Sequence, residues 1–97
     1  AGVIRNINSG QEELLPVSAV FIAIGLVPDN RIFSELPLDS NGYILAGDDC
    51  KTSLAGVFAA GDTRAKALRQ ILTAASDGAT AAFQAASYVN TLETALR

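Results

Sequence analysis

The chain has no histidine, one cysteine at Cys50, and therefore no Cys-x-x-Cys pair. An internal disulfide is excluded, and so is disulfide exchange carried out by these residues alone. Lying among Asp48, Asp49 and Lys51, Cys50 reads as an incidental thiol of a cytoplasmic protein. The lack of imidazole removes the commonest metal ligand, and no metal site is expected. No GxGxxG turn is present to cradle a dinucleotide pyrophosphate. Seven Lys and Arg stand against ten Asp and Glu, for a net charge of -3. The basic residues form neither patch nor helix, which argues against nucleic acid or an anionic membrane as partner. Long apolar runs are lacking too. The longest, residues 19–24, extends only to Val27 with Gly25 inside it, well short of the ~20 residues of a membrane span. Methionine is absent and an apolar alternation already runs at Val3, so the expectation is a chain cut from a longer protein.

What is present is one small α/β unit, strand-rich in its first half and helical at its end. Residues 3–7 alternate like a strand, Asn8-Ser9-Gly10 has hairpin-turn chemistry, and residues 12–15 return as a second strand limited by Pro16. Arg5, Asn6, Glu12 and Glu13 read as surface residues of that hairpin. The apolar run 19–24 predicts a strand buried on both faces and ending at Gly25. Residues 31–36 predict a helical turn capped by Asn30 and stopped by Pro37. A turn at 39–42 leads into a short strand at 43–45.

Gly56 opens a second apolar strand, Val57, Phe58, Ala59 and Ala60, that ends in Gly61 and Asp62. The absence of a Cβ at Gly61 allows close approach to the backbone, and Asp62 sets a carboxylate at the strand's C-terminal edge, where open α/β sheets bind ligands. An ionised carboxylate accepts hydrogen bonds only, so it suits the hydroxyls of a sugar-like chain and repels phosphate. The plain alternative is a strand-to-loop turn, because Gly-Asp is ordinary turn chemistry. Arg64 and Lys66 beside it read as solvated loop charges. From residue 68 to 92 the positions Ile71, Ala75, Gly78, Ala79, Ala82, Ala86 and Val89 recur at helical spacing and predict a helix buried along that narrow stripe, with a close neighbour at Gly78.

The run Thr-Ser-x-x-Gly-Val-Phe-Ala-Ala-Gly-Asp at 52–62, then Leu68-Arg69-Gln70, Thr73-Ala74-Ala75, Asp77-Gly78-Ala79 and Ala81-Ala82, resembles the C-terminal flavin-binding segment of the low-molecular-weight thioredoxin reductases. Ala23-Ile24-Gly25 followed by Pro28 is similar to the family's A/T-x-G-x-x-P-N element, and Asn41-Gly42-Tyr43-Ile44 to its Gly-Tyr-Ile strand. Departures occur at Asp29, Ala55, Ala65 and Ala67, none of which removes a group that a flavin site requires.

The resemblance implies a partial three-layer FAD/NAD(P)-binding fold across residues 1–97. Residues 1–18 would be a hairpin bordering an NADPH domain and residues 19–97 the flavin-binding segment. It places Gly61 and Asp62 at the flavin ribityl chain. Arg69, Gln70 and Ile71 fall at the ring, the last two through backbone donors at the start of the terminal helix. The cofactors implied are FAD and NADPH, the acceptor is thioredoxin or a similar disulfide protein, and the assembly is a homodimer. No catalytic residue is expected within the chain, because the NADPH site and the redox-active cysteines would lie elsewhere in the parent. A ferredoxin-NADP reductase-like or other cysteine-free flavoprotein, or a non-catalytic dimerisation module, remains open.

Overall fold

The computed structural model describes residues 1–97. Its elements are a hairpin, β1 (Gly2–Arg5) and β2 (Glu12–Leu15), two single 3-10 turns at Arg31–Phe33 and Gly61–Thr63, and one long helix, α1 (Ile71–Ala95). The radius of gyration is 20.6 Å, against roughly 13 Å for a compact domain of this length. Only nine residues are buried.

The hairpin is antiparallel with Gly2 opposite Leu15 and Arg5 opposite Glu12. Its turn is organised by Asn6, whose Oδ1 accepts the N–H groups of Asn8 (2.9 Å) and Ser9 (3.0 Å), while Gly10 supplies a φ of 72°. Arg5 pairs across the strands with Glu12. Asn6 is thus a turn organiser rather than a neutral surface residue. Pairing stops at Leu15, since Pro16 has no N–H to donate.

The strand expected at residues 19–24 is not formed. Phe21 and Ile24 are each 93% exposed, and the segment carries no ladder hydrogen bonds. Its composition suits a strand, but a strand is made by neighbours on both edges, and no other part of the chain supplies them.

Residues 30–66 form a small unit held mainly by polar bonds. Asn30 is buried; its Nδ2 donates to the carbonyls of Gly42 (2.9 Å) and Thr63 (3.2 Å), and its Oδ1 accepts the Thr63 hydroxyl. Asn30 therefore ties two loops together and does not cap the turn it precedes. Asp39 Oδ1 accepts the N–H groups of Asn41 and Tyr43, an Asx-type turn. The strand expected at 43–45 reduces to Ile44, bridged antiparallel to Leu38 and parallel to Arg64. The apolar stretch 57–60 is likewise a single bridge, Phe58 to Lys51, continued by the Ala59 N–H to the Cys50 carbonyl at 2.9 Å. Leu36, Ile44 and Ala59 make the apolar centre. Phe58 meets Tyr88 of α1 edge-to-face with centroids 6.4 Å apart, a favourable aromatic geometry.

Helix α1 presents a different face from the one its small-residue stripe suggests. Thr73, Ala74, Asp77, Thr80, Ala81, Gln84, Ala85 and Tyr88 are covered or half-covered, whereas Ile71, Ala75, Gly78, Ala79, Ala82, Ala86 and Val89 are exposed. A Cβ added at Gly78 would meet nothing within 4 Å. Both faces are rich in alanine, so size does not select between them; the burial of Asp77 does.

Candidate functional site

Extended backbone at Ala60 (φ -135°, ψ 149°) turns at Gly61, where φ is 80°, into the short 3-10 turn Gly61–Thr63. A side chain at Gly61 would lie 3.6 Å from the Ala74 methyl, an ordinary contact. The requirement for glycine is therefore the positive φ rather than lack of room. Gly61 is buried and its successor Asp62 is exposed, so the turn pushes one carboxylate outward. That carboxylate makes no ion pair and no hydrogen bond, whereas its backbone carbonyl accepts Arg69 Nε at 3.3 Å.

Asp62 lines a groove of about 480 Å³ together with Pro28, Asn30, Phe33, Tyr43 and Arg69. Arg69 sets its Cζ over the Tyr43 ring, 3.5 Å from the centroid, and reaches the Arg64 carbonyl through Nη2 at 3.4 Å. Stacking and two carbonyl acceptors hold the guanidinium in place without neutralising it. Gln70 is the N-cap of α1, and its N–H donates to Thr73 Oγ1 at 3.0 Å. Ile71 follows as the first helical residue, 92% exposed; N–H groups of a first turn have no intrahelical acceptor. Of the two backbone donors expected at the helix start, that of Gln70 is thus engaged within the cap.

Beneath the turn lies a charge cluster that the sequence reading missed. Asp77 is 8% exposed. Its Oδ1 accepts Arg64 Nη2 (3.0 Å), and its Oδ2 accepts Arg64 Nε (3.0 Å), Lys66 Nζ (2.9 Å) and the Gly61 N–H (3.0 Å). The Arg64 fork, then Lys66 and the Gly61 amide, hold the Asp77 carboxyl well below the usual carboxylate range in spite of its burial. Arg64 and Lys66 are therefore buried partners of Asp77 rather than solvated loop charges. Arg64 also donates to the Ala46 and Gly47 carbonyls at 3.3 and 3.1 Å. A signal for Asp77 is in the sequence: it is the only charged side chain between Arg69 and Glu93.

Cys50 differs in the same way. It is fully buried, adopts a φ of 62°, and its Sγ donates to the Asp77 carbonyl at 3.4 Å. Burial, and then the Asp77 charge, push its thiol up. It is a packed structural residue, unlike the exposed low-pKa thiol that redox work needs.

No helix of the structure is long and apolar enough to cross a membrane. Residues 2–78 match the family described as Pyridine nucleotide-disulphide oxidoreductase. Among curated proteins, a thioredoxin reductase of Treponema pallidum is 46% identical over 91 residues, covering 94% of this chain and 30% of the relative. A thioredoxin reductase of Listeria innocua is 49% identical over 88 residues, covering 90% of this chain and 28% of the relative. Among solved structures, Lactococcus lactis thioredoxin reductase in its FR conformation superposes with a TM-score of 0.72 at 38% identity, over 92% of this chain and 30% of that one. Streptococcus pyogenes thioredoxin reductase gives 0.73 at 39%, over 92% and 29%. The chain thus spans less than a third of the length of these relatives.

Proposed function

Because the chain belongs to the pyridine nucleotide-disulphide oxidoreductase family, we propose that it is the C-terminal flavin-binding part of a thioredoxin-reductase-like NADPH:disulfide oxidoreductase working in the cytoplasm. The observation that carries this reading is the Gly61-Asp62 turn, which holds an unpaired carboxylate in a groove beside Arg69 and the start of α1. The donor set fits part of FAD. Asp62 accepts from a ribityl hydroxyl, an interaction worth about 1.5–3 kcal/mol. Arg69, fixed on Tyr43, and the free N–H groups of the first turn of α1 face the ring edge. The helix dipole adds about 0.3–1 kcal/mol at an exposed end and so tunes the flavin potential more than it holds the cofactor. Nothing in the chain suits the pyrophosphate, which falls to residues elsewhere in the longer protein.

A flavin held there would supply two-electron chemistry, relaying the hydride equivalent of NADPH to a disulfide that, with one further proton, becomes two thiols. The buried Cys50 is no member of that disulfide. The redox pair and the NADPH site belong to the remainder of the protein, with thioredoxin or a similar protein as acceptor and a homodimer as the assembly. In the alternative, a ferredoxin-NADP reductase-like or other cysteine-free flavoprotein uses the same flavin contacts without disulfide turnover.

The test is made on the full-length protein. Near-stoichiometric FAD by absorbance, together with NADPH-dependent reduction of thioredoxin or a model disulfide, is the expected result. Bound FAD without disulfide reduction selects the cysteine-free alternative, and a colourless folded protein overturns the flavin reading.

A further inference from the structure

One carboxylate gathers three separate points of the loop that shapes the proposed flavin site. Asp77 stands two turns into α1, yet its oxygens take the Gly61 N–H, the Arg64 fork and Lys66 Nζ, each at 2.9–3.0 Å. Gly61 is the residue whose positive φ throws Asp62 outward, and Arg64 supplies the carbonyl that receives Arg69. Asp62 thus follows directly on the amide that Asp77 binds, and Arg69 donates to the backbone carbonyl of Arg64, the residue whose side chain Asp77 grips, although Asp77 itself is buried and does not line the groove. A carboxylate enclosed in this way has one arrangement that satisfies the amide and both cations, and any displacement leaves a buried charge uncompensated.

We propose that Asp77 is a positioning residue for the flavin: it clamps the Gly61 turn to α1, so that the Asp62 carboxylate and the Arg69 guanidinium sit at fixed places in the groove. The inference rests on the flavin reading given above. It goes beyond that reading because it assigns cofactor affinity to a side chain that does not touch the cofactor.

The experiment titrates FAD into the apo form of the full-length protein, each variant held well below its own thermal midpoint, and follows flavin fluorescence and the vibronic shape of the bound-flavin absorption band. Asp77→Asn, which leaves Lys66 without a counter-charge and Arg64 with only the exposed Asp48 at 3.5 Å, weakens FAD binding about tenfold, as loss of one well-placed charge-assisted bond would, and blurs the band. Leu36→Ala, in the apolar centre and outside the groove, lowers the thermal midpoint while leaving the FAD Kd within about twofold and the band unchanged. An Asp77→Asn protein that is destabilised but binds FAD within twofold of the parent overturns the proposal. A Leu36→Ala protein that loses FAD as strongly as Asp77→Asn also overturns it, since general destabilisation then accounts for the loss. If Asp77→Asn does not fold, Asp77→Glu keeps the charge while displacing the acceptor from Gly61, and the same weakening and blurring are expected; unchanged binding is again a refutation. Asp62→Ala is run in parallel. If it loses FAD and the Asp77 variant does not, only the positioning role fails. If it binds FAD as the parent does, the Asp62 contact falls and the positioning role with it.

Discussion

Residues 30–66 are less apolar than residues 1–27, with 16 apolar positions in 37 against 15 in 27, yet it is the less apolar region that encloses a core. In the first region Asn30, Asp39, Arg64 and, from α1, Asp77 stitch loops to one another through side-chain hydrogen bonds, and the apolar residues Leu36, Ile44 and Ala59 are enclosed as a result. In the second, the hairpin closes through its own turn, and the most β-like run in the chain, residues 19–24, lies open. Polar groups that find partners elsewhere in the same chain, here up to 33 positions away, can tie loops together with little apolar burial. An apolar strand cannot, because its burial requires sheets and helices on every side.

The largest effect expected on this comparison comes from Asp77. Replacing it with alanine strands Arg64 and Lys66 in a buried site, and should lower the unfolding free energy of the full-length protein by about 3–5 kcal/mol, read by urea denaturation. The same carboxylate gives a pH dependence. Because its folded pKa is depressed, its contribution is fully present above the unfolded value and is lost as pH falls below about 4. The parent should lose stability between pH 4 and lower values more steeply than Asp77→Asn. Parallel curves would mean that the cluster contributes little.

The open region makes the next prediction. With Phe21, Ile22 and Ile24 uncovered, the 97-residue chain alone should form dimers or larger species. Paired substitution of Phe21 and Ile24 by serine should shift it toward monomer in light scattering. A clean monomer of the unsubstituted chain at high concentration would show that this segment finds cover that the structure does not show. The same chain, holding only one carboxylate and one helix end of the proposed cofactor site, should bind FAD no better than about millimolar. A yellow preparation after dialysis would contradict that.

The smallest effect is at Gly78. Nothing lies within 4 Å of its missing side chain, so Gly78→Ala should stabilise α1 in the 97-residue chain by up to about 1 kcal/mol through helix propensity alone. Destabilisation of the full-length protein by the same change would show that a neighbour covers this face there.

The sequence made the hairpin, the helix and the Gly61-Asp62 turn legible because each is written in adjacent residues: Asn-Ser-Gly, a long alanine-rich run, and a glycine at a strand end. The strand at 19–24 was legible as a tendency only, since its partners are not in the chain. The face of α1 was misread because alanine lines both sides, and Arg64 and Lys66 were misread because their acid stands 13 and 11 positions further on. Of the site residues, Asp62 and Arg69 are brought into one groove, Gly61 shapes it from beneath, and Gln70 and Ile71 sit at the helix start with one N–H already spent.

The most direct measurement of the central claim is the FAD dissociation constant of Asp62→Ala in the full-length protein beside that of Glu13→Ala, an exposed hairpin carboxylate. Asp62→Ala should weaken FAD by about ten- to over a hundredfold, the equivalent of 1.5–3 kcal/mol, with an unchanged apoprotein thermal midpoint, while Glu13→Ala binds as the parent does. Equal affinity in the two variants, or an Asp62→Ala protein that unfolds without a specific flavin defect, would mean that Gly61-Asp62 is only a structural turn.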